Sequence, residues 1–147
     1  MAQTAKATAL RFLKIRPRSI EELKEKLEFK GFSPEEIAET VVYLTGIKLL
    51  DDRAFTRSWI AYRLARPFGF RRIILELQQK GVAQDVIDEV IADIKPQVTE
   101  AQTVLELARR RYGRLNGDAQ QKKKRVFDYL ARRGFEAGDI FKVLKQL

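Results

Sequence analysis

The chain has 147 residues, is 45% hydrophobic and 33% charged, and contains neither cysteine nor histidine. This composition suits a folded domain or a few small stacked units, and it excludes disulfides, thiolate chemistry, and the commonest general base and metal ligand. The net charge is +9, with +2 on residues 1–50, +1 on 51–96 and +6 on 97–147, a basic excess that favours nucleic acid or an acidic protein surface as partner.

No apolar run approaches the roughly 20 residues needed to span a membrane. Residues 1–10 lack the long apolar stretch of a secretory signal, so the cytoplasm is the expected compartment. In chain order, the first predicted helix covers about Thr4 to Ile15, with Phe12 in the core. Ser19-Ile20-Glu21-Glu22 and Ser33-Pro34-Glu35-Glu36 then form capping boxes, the second with Pro at the first helical position. Ile20, Leu23 and Leu27 share one face of the second helix, as do Ile37, Val41 and Leu44 of the third. Thr45-Gly46 ends this first group.

Asp51 or Asp52 caps the next helix, about Asp52 to Arg66, whose Phe55, Trp59 and Tyr62 are spaced for a core face. Two adjacent carboxylates at a helix start read as a cap plus a solvated neighbour rather than a metal site. Phe70-Ile73-Leu77 and Ile87-Ile91-Ile94 mark two further helices, and Pro96 borders this group. A helix over about Gln97 to Tyr112 follows. Residues 113–118, with Asn116-Gly117, form the longest connector, and Ile140-Leu144-Leu147 lies on the last helix.

One phrase occurs three times: Leu27-Glu28-Phe29-Lys30-Gly31-Phe32, Leu77-Gln78-Gln79-Lys80-Gly81-Val82 and Leu130-Ala131-Arg132-Arg133-Gly134-Phe135. An apolar residue (Leu23, Ile73, Val126) precedes each, and an isoleucine (Ile37, Ile87, Ile140) follows six residues beyond each glycine. Glycines 50 and 53 residues apart indicate an array of supersecondary units. In each copy the glycine stops a helix and Lys30, Lys80 or Arg133 sits beside its negative end. The fold class expected is all-α: three tandem three-helix repeats, 1–50, 51–96 and 97–147, stacked into an elongated, curved array.

Catalytic equipment is not evident. The only serines are Ser19, Ser33 and Ser58, two of them in cap positions, and no phosphate loop or metal-ligand spacing occurs. Neither cofactor nor metal is expected. Arg71-Arg72 and Lys122-Lys123-Lys124-Arg125 open helices, where positive charge opposes the macrodipole. These six are the candidate contacts for phosphate or an acidic partner. Arg109-Arg110-Arg111 closes a helix and is explained by its dipole. A helix-turn-helix DNA-binding regulator is the alternative reading. Its groove-entering residues would be Glu35, Glu36 and Glu39, then Asp85, Asp88 and Glu89, then Glu136 and Asp139, which phosphates would repel.

The stretch Asp52-Arg53-Ala54-Phe55, followed by Gly69-Phe70-Arg71-Arg72-Ile73-Ile74-Leu75-Glu76-Leu77-Gln78-Gln79-Lys80-Gly81-Val82, resembles the central motif of the RecX regulatory proteins. The matching positions are Asp52, Phe55, Gly69, Arg72, Ile73, Glu76, Leu77, Lys80 and Gly81. The third repeat departs from its fellows in having Lys123 where they have Ile20 and Phe70, with Phe127 as the compensating apolar residue. The resemblance implies a bacterial cytoplasmic protein of tandem three-helix repeats. It also implies binding to the RecA recombinase along its filament on single-stranded DNA, and inhibition of ATP hydrolysis, strand exchange and co-protease activity in DNA repair. Some members also bind DNA directly. The implied role is modulation rather than catalysis, and a monomer is expected.

Overall fold

The computed structural model describes residues 3–147. Among them are nine α-helices and no strand: α1 (Ala5–Ile15), α2 (Ile20–Phe29), α3 (Pro34–Gly46), α4 (Asp52–Leu64), α5 (Phe70–Gln79), α6 (Gln84–Ile94), α7 (Glu100–Arg114), α8 (Ala119–Arg132) and α9 (Ala137–Leu144), with a 3₁₀ turn at Lys95–Gln97. They form three groups of three in tandem. No helix among the described residues is long and apolar enough to cross a membrane.

The helix starts follow local chemistry. Thr4 caps α1, and Ser19 and Ser33 each complete a capping box with Glu22 and Glu36. Asp51 caps α4, its Oδ1 accepting from the backbone N–H of Arg53 at 2.9 Å and of Ala54 at 3.3 Å. Helix α7 runs through Gly113 to Arg114, so its connector to α8 is only residues 115–118, shorter than the turns at 47–51 and 65–69. The long connector expected there is absent because Gly113 is accommodated inside the helix. Tyr62 is not core: it is 46% exposed. The inward face of α4 is carried by Phe55, Thr56 and Ile60 instead, and half-buried Trp59 turns its ring N–H to Glu76.

The repeated phrase is a Schellman turn in all three copies. The carbonyl of Leu27, Leu77 or Leu130 accepts from the apolar residue five positions on (Phe32, Val82, Phe135), at 3.2 Å each. The residue after each leucine accepts from the glycine N–H. The glycines have φ of 90°, 77° and 94°, which a side chain resists.

The chain divides into two compact units that do not coincide with the sequence repeats. One comprises residues up to Ser58 together with Leu77–Val90, the other Trp59–Glu76 with Ile91–Leu147. The first has its core at Ala9, Leu23, Leu27, Ile37, Leu44 and Leu50. The second is built on Val104, Leu107, Ala108, Val126, Leu130, Phe135, Ile140 and Val143, with Phe127 partly buried against it. Phe127 also stacks on Phe141, ring centroids 5.0 Å apart.

Each unit is closed by the same junction. In the first, the opening of α2 receives two elements of the following repeat. Asp52 Oδ1 accepts the Ile20 N–H at 2.9 Å, and the Ser19 hydroxyl donates to the Lys80 carbonyl at 2.6 Å beside Gly81. Lys80 Nζ reaches Glu22 at 3.2 Å. In the second, the opening of α5 is treated alike. Glu100 accepts the Phe70 N–H at 3.2 Å, while the Gly69 and Arg71 N–H groups donate to the Arg133 and Gly134 carbonyls at 2.8 and 3.1 Å. Asp52 is therefore not the solvated neighbour of a cap; it satisfies a helix-start donor of the preceding repeat. A Cβ at Gly134 would collide with the backbone nitrogen and Cβ of Arg72, whereas one at Gly31 would meet open space.

Two expectations follow. Gly31→Ala meets only the left-handed backbone penalty, roughly 1–2 kcal/mol; Gly134→Ala adds a backbone collision, so thermal melts should rank it well below Gly31→Ala, and equal melting points would contradict the docking. Burial raises the carboxyl pKa of both Asp52 and Glu100 despite the N–H each accepts. Their stabilisation is therefore present below the ordinary carboxylate range and lost as pH rises through the raised values. Asp52→Asn/Glu100→Gln keeps the acceptors and should match or exceed the parent's stability at pH 7, the difference narrowing on acidification. Asp52→Ala orphans the Ile20 N–H and should cost about 1–3 kcal/mol in the same melts.

Candidate partner-binding site

The six cations singled out by sequence divide sharply in the structure. Arg71 and Arg72 open α5, and only Arg71 is free of structural duty: its side chain is exposed. Arg72 Nη1 donates to the Arg132 carbonyl at 3.2 Å, its Nε lies 3.6 Å from Glu76, and its guanidinium covers the Phe68 ring at 4.8 Å. On α8, Asp118 is the cap, and Lys122 to Arg125 fall in the turn beyond the first. Lys122 Nζ sits 4.0 Å over the Tyr112 ring. Lys123 is half-buried, while Lys124 and Arg125 face solvent.

Aligned on the buried Leu23, Ile73 and Val126, residues Lys122–Arg125 occupy the places of Ser19–Glu22 and Gly69–Arg72. In the first two repeats those places receive the next repeat's turn. In the third they are cationic, and Asp118 supplies the cap from the same repeat, accepting from the Gln121 N–H at 2.8 Å.

The structure adds cations that the linear motifs did not single out. Arg132 shares the exposed face of α8 with Lys124 and Arg125, two turns beyond Arg125. Around Phe68, the guanidiniums of Arg63, Arg72 and Arg133 lie 4.4, 4.8 and 4.8 Å from the ring centroid, and Arg66 lies 3.9 Å from that of Tyr62. One carboxylate, Glu76, holds the group. It accepts from Arg63 Nε at 2.8 Å and from Arg63 Nη2, and it accepts the Trp59 ring N–H at 3.2 Å. Arg133 donates to the Arg66 and Pro67 carbonyls at 3.2 and 3.1 Å. Four cations against one carboxylate leave this part of the second unit strongly positive. The signal was present as Arg66-Pro67-Phe68-Gly69, which reads as a connector until the fold brings Arg133 to it.

These groups can hold anions and stack on flat partners, but they join no nucleophile to a base. Ser19 and Ser33 are occupied as caps. Among the described residues no group of three or more acidic, histidine or cysteine side chains could hold a metal ion. The openings of α3, α6 and α9 are acidic, and two of those carboxylates are paired: Glu89 with Arg53 at 2.7 Å and Glu136 with Lys95 at 3.6 Å.

Family models for the first, second and third three-helix domains of RecX match residues 5–44, 51–91 and 99–144. A regulatory protein RecX of Chlorobium phaeobacteroides strain BS1 is 33% identical over 140 residues, covering 95% of this chain and 90% of its own length. One of Mycolicibacterium smegmatis is 33% identical over 148 residues, covering 97% and 78%. The crystal structure of RecX from Lactobacillus salivarius is similar with a TM-score of 0.85 at 19% identity, over 97% of this chain and 94% of that one; at that identity the likeness shows the fold.

Arg71 and Arg72, adjacent in sequence, are expected to behave differently. Arg72→Ala removes a hydrogen bond, an ion pair and a ring contact and should cost about 1–2 kcal/mol in a denaturant titration. Arg71→Ala should stay within roughly 0.5 kcal/mol of the parent.

Proposed function

Because this chain belongs to the RecX family of regulatory proteins, we propose that it binds the RecA recombinase or its filament on single-stranded DNA. The effect proposed is a lowering of ATPase, strand-exchange and co-protease activity in recombinational repair. The observation that carries this reading is the excess of exposed cations on the second compact unit, where Asp128 is the one acid between Arg125 and Arg132 on α8. Arg71, Lys124, Arg125 and Arg132 are exposed cations without structural employment, and Arg63, Arg72 and Arg133 add charge around Phe68 and Arg66 beside Tyr62. Such a face attracts an acidic protein surface or a phosphate backbone and speeds encounter with it. Lys122 and Lys123 contribute charge from half-buried positions. Direct contact with DNA phosphates belongs to the same reading, with a cytoplasmic monomer as the acting species. The helix-turn-helix alternative is disfavoured by the acidic openings of α3, α6 and α9.

Charge reversal tests it. Arg71→Glu/Lys124→Glu/Arg125→Glu should weaken binding to recombinase filaments roughly tenfold or more and flatten its salt dependence, measured by co-sedimentation and by inhibition of DNA-dependent ATP hydrolysis. Lys30→Glu, at a helix end in the first unit, should leave both unchanged. Equal effects from the two variants would place the binding face elsewhere.

A further inference from the structure

The first compact unit contains a groove of about 430 Å³, lined by α1, the turn after α3 and the start of α4. Its walls include Leu10, Leu13, Leu49 and Phe55, and Leu10 and Leu49 are 42% and 55% exposed. Arg18 lies in the wall. It is 8% exposed; its guanidinium donates one long hydrogen bond, Nε to the Phe12 carbonyl at 3.4 Å, and lies 5.3 Å from the Phe12 ring centroid, with no carboxylate within ion-pair distance among the described residues. A buried guanidinium ordinarily has its fork filled by an acid. Burial depresses its pKa, with Arg16 nearby adding to the effect and the Glu22 carboxylate opposing it.

Two further cations, Lys14 and Lys48, line the same groove. The acid there, Asp51, is committed to capping α4. Lys48 is the sole described non-glycine residue with positive φ, 61°. It stands where the three repeated turns have glycine: the Leu49 and Lys48 N–H groups close the same Schellman pattern on Leu44 and Thr45. A lysine held in that strained place, at the rim of an apolar groove, points to a use for its charge. Apolar walls with one sunken guanidinium suit a carboxylate flanked by aliphatic or aromatic side chains better than a phosphodiester chain.

We propose that this groove is a docking site for an acidic, apolar peptide segment of a partner protein, with a carboxylate on Arg18 and an apolar side chain between Leu10 and Leu49. The inference stands independently of the recombinase reading, because it defines the segment by chemistry alone.

The test is selection from a random displayed-peptide library on the whole protein, followed by fluorescence anisotropy of the enriched peptide, synthesised and labelled. Enriched peptides should place Asp or Glu beside Leu, Ile or Phe. Arg18→Lys, which keeps the charge but not the fork, and Lys14→Gln/Lys48→Gly should each weaken the labelled peptide roughly tenfold; Leu49→Gln should do likewise. Lys48→Gly relieves backbone strain and should melt no lower than the parent, separating lost binding from lost folding. Failure to enrich, enrichment of basic or uncharged sequences, unchanged affinity in the variants, displacement by a DNA oligonucleotide, or occupation of the groove by a second copy seen in sedimentation would each overturn the assignment.

Discussion

Every helix begins with backbone N–H groups that its own carbonyls cannot satisfy, and in this protein the next repeat satisfies some of those at the starts of α2 and α5. Asp52 and Glu100, each the first residue of a repeat's opening helix, accept from Ile20 and Phe70 of the repeat before. The carbonyls flanking the following glycine turn take the rest of the polar groups there. A turn can approach a helix start this closely only without a Cβ at the contact, which is the demand met by Gly81 and Gly134. Because the junction joins the end of one repeat's second helix to the start of its predecessor's, the compact units run across the repeats. The three helices of the middle repeat are each shared between both.

The same constraint sorts the charges. Lys80 and Arg133, at matching positions of the phrase, lie at junctions: Lys80 reaches Glu22, and Arg133 reaches two carbonyls and the Phe68 ring. Lys30, in the first copy, has no junction to make. Glu22 feels the outcome: burial pushes its pKa up, but Arg16, the Ser19 N–H and Lys80 together bring it below the ordinary range. Cations that build junctions are thereby separated from exposed ones that make no structural contact, and they lie side by side in sequence, as Arg72 and Arg71 do.

Much of this order can be read without coordinates because it is local. Capping boxes at Ser19 and Ser33, positive φ at the three glycines and helical faces such as Leu23-Leu27 depend on residues within a turn or two, so spacing reveals them. What spacing cannot reveal is which distant group completes a donor. Asp52 looks like a cap for its own helix until Ile20 is seen beside it. Tyr62 has core spacing but falls outside the buried arc of α4. Arg66-Pro67-Phe68-Gly69 has no periodicity at all, and it acquires meaning only when Arg133 arrives from another helix. The groove around Arg18 is hidden for the same reason, since its walls come from three separate segments.

An open series of junctions has two unmatched ends, and a chain built this way could add copies of itself end to end without limit. The free turn is Gly31, which faces nothing within 4 Å. The matching position belongs to α8, where Ser19 and Gly69 have Lys122 as their counterpart and Asp118 accepts the Gln121 N–H. Helix α8 begins three residues before Lys122, whose N–H already donates to the Asp118 carbonyl at 3.0 Å, so that position offers no open helix start to such a turn.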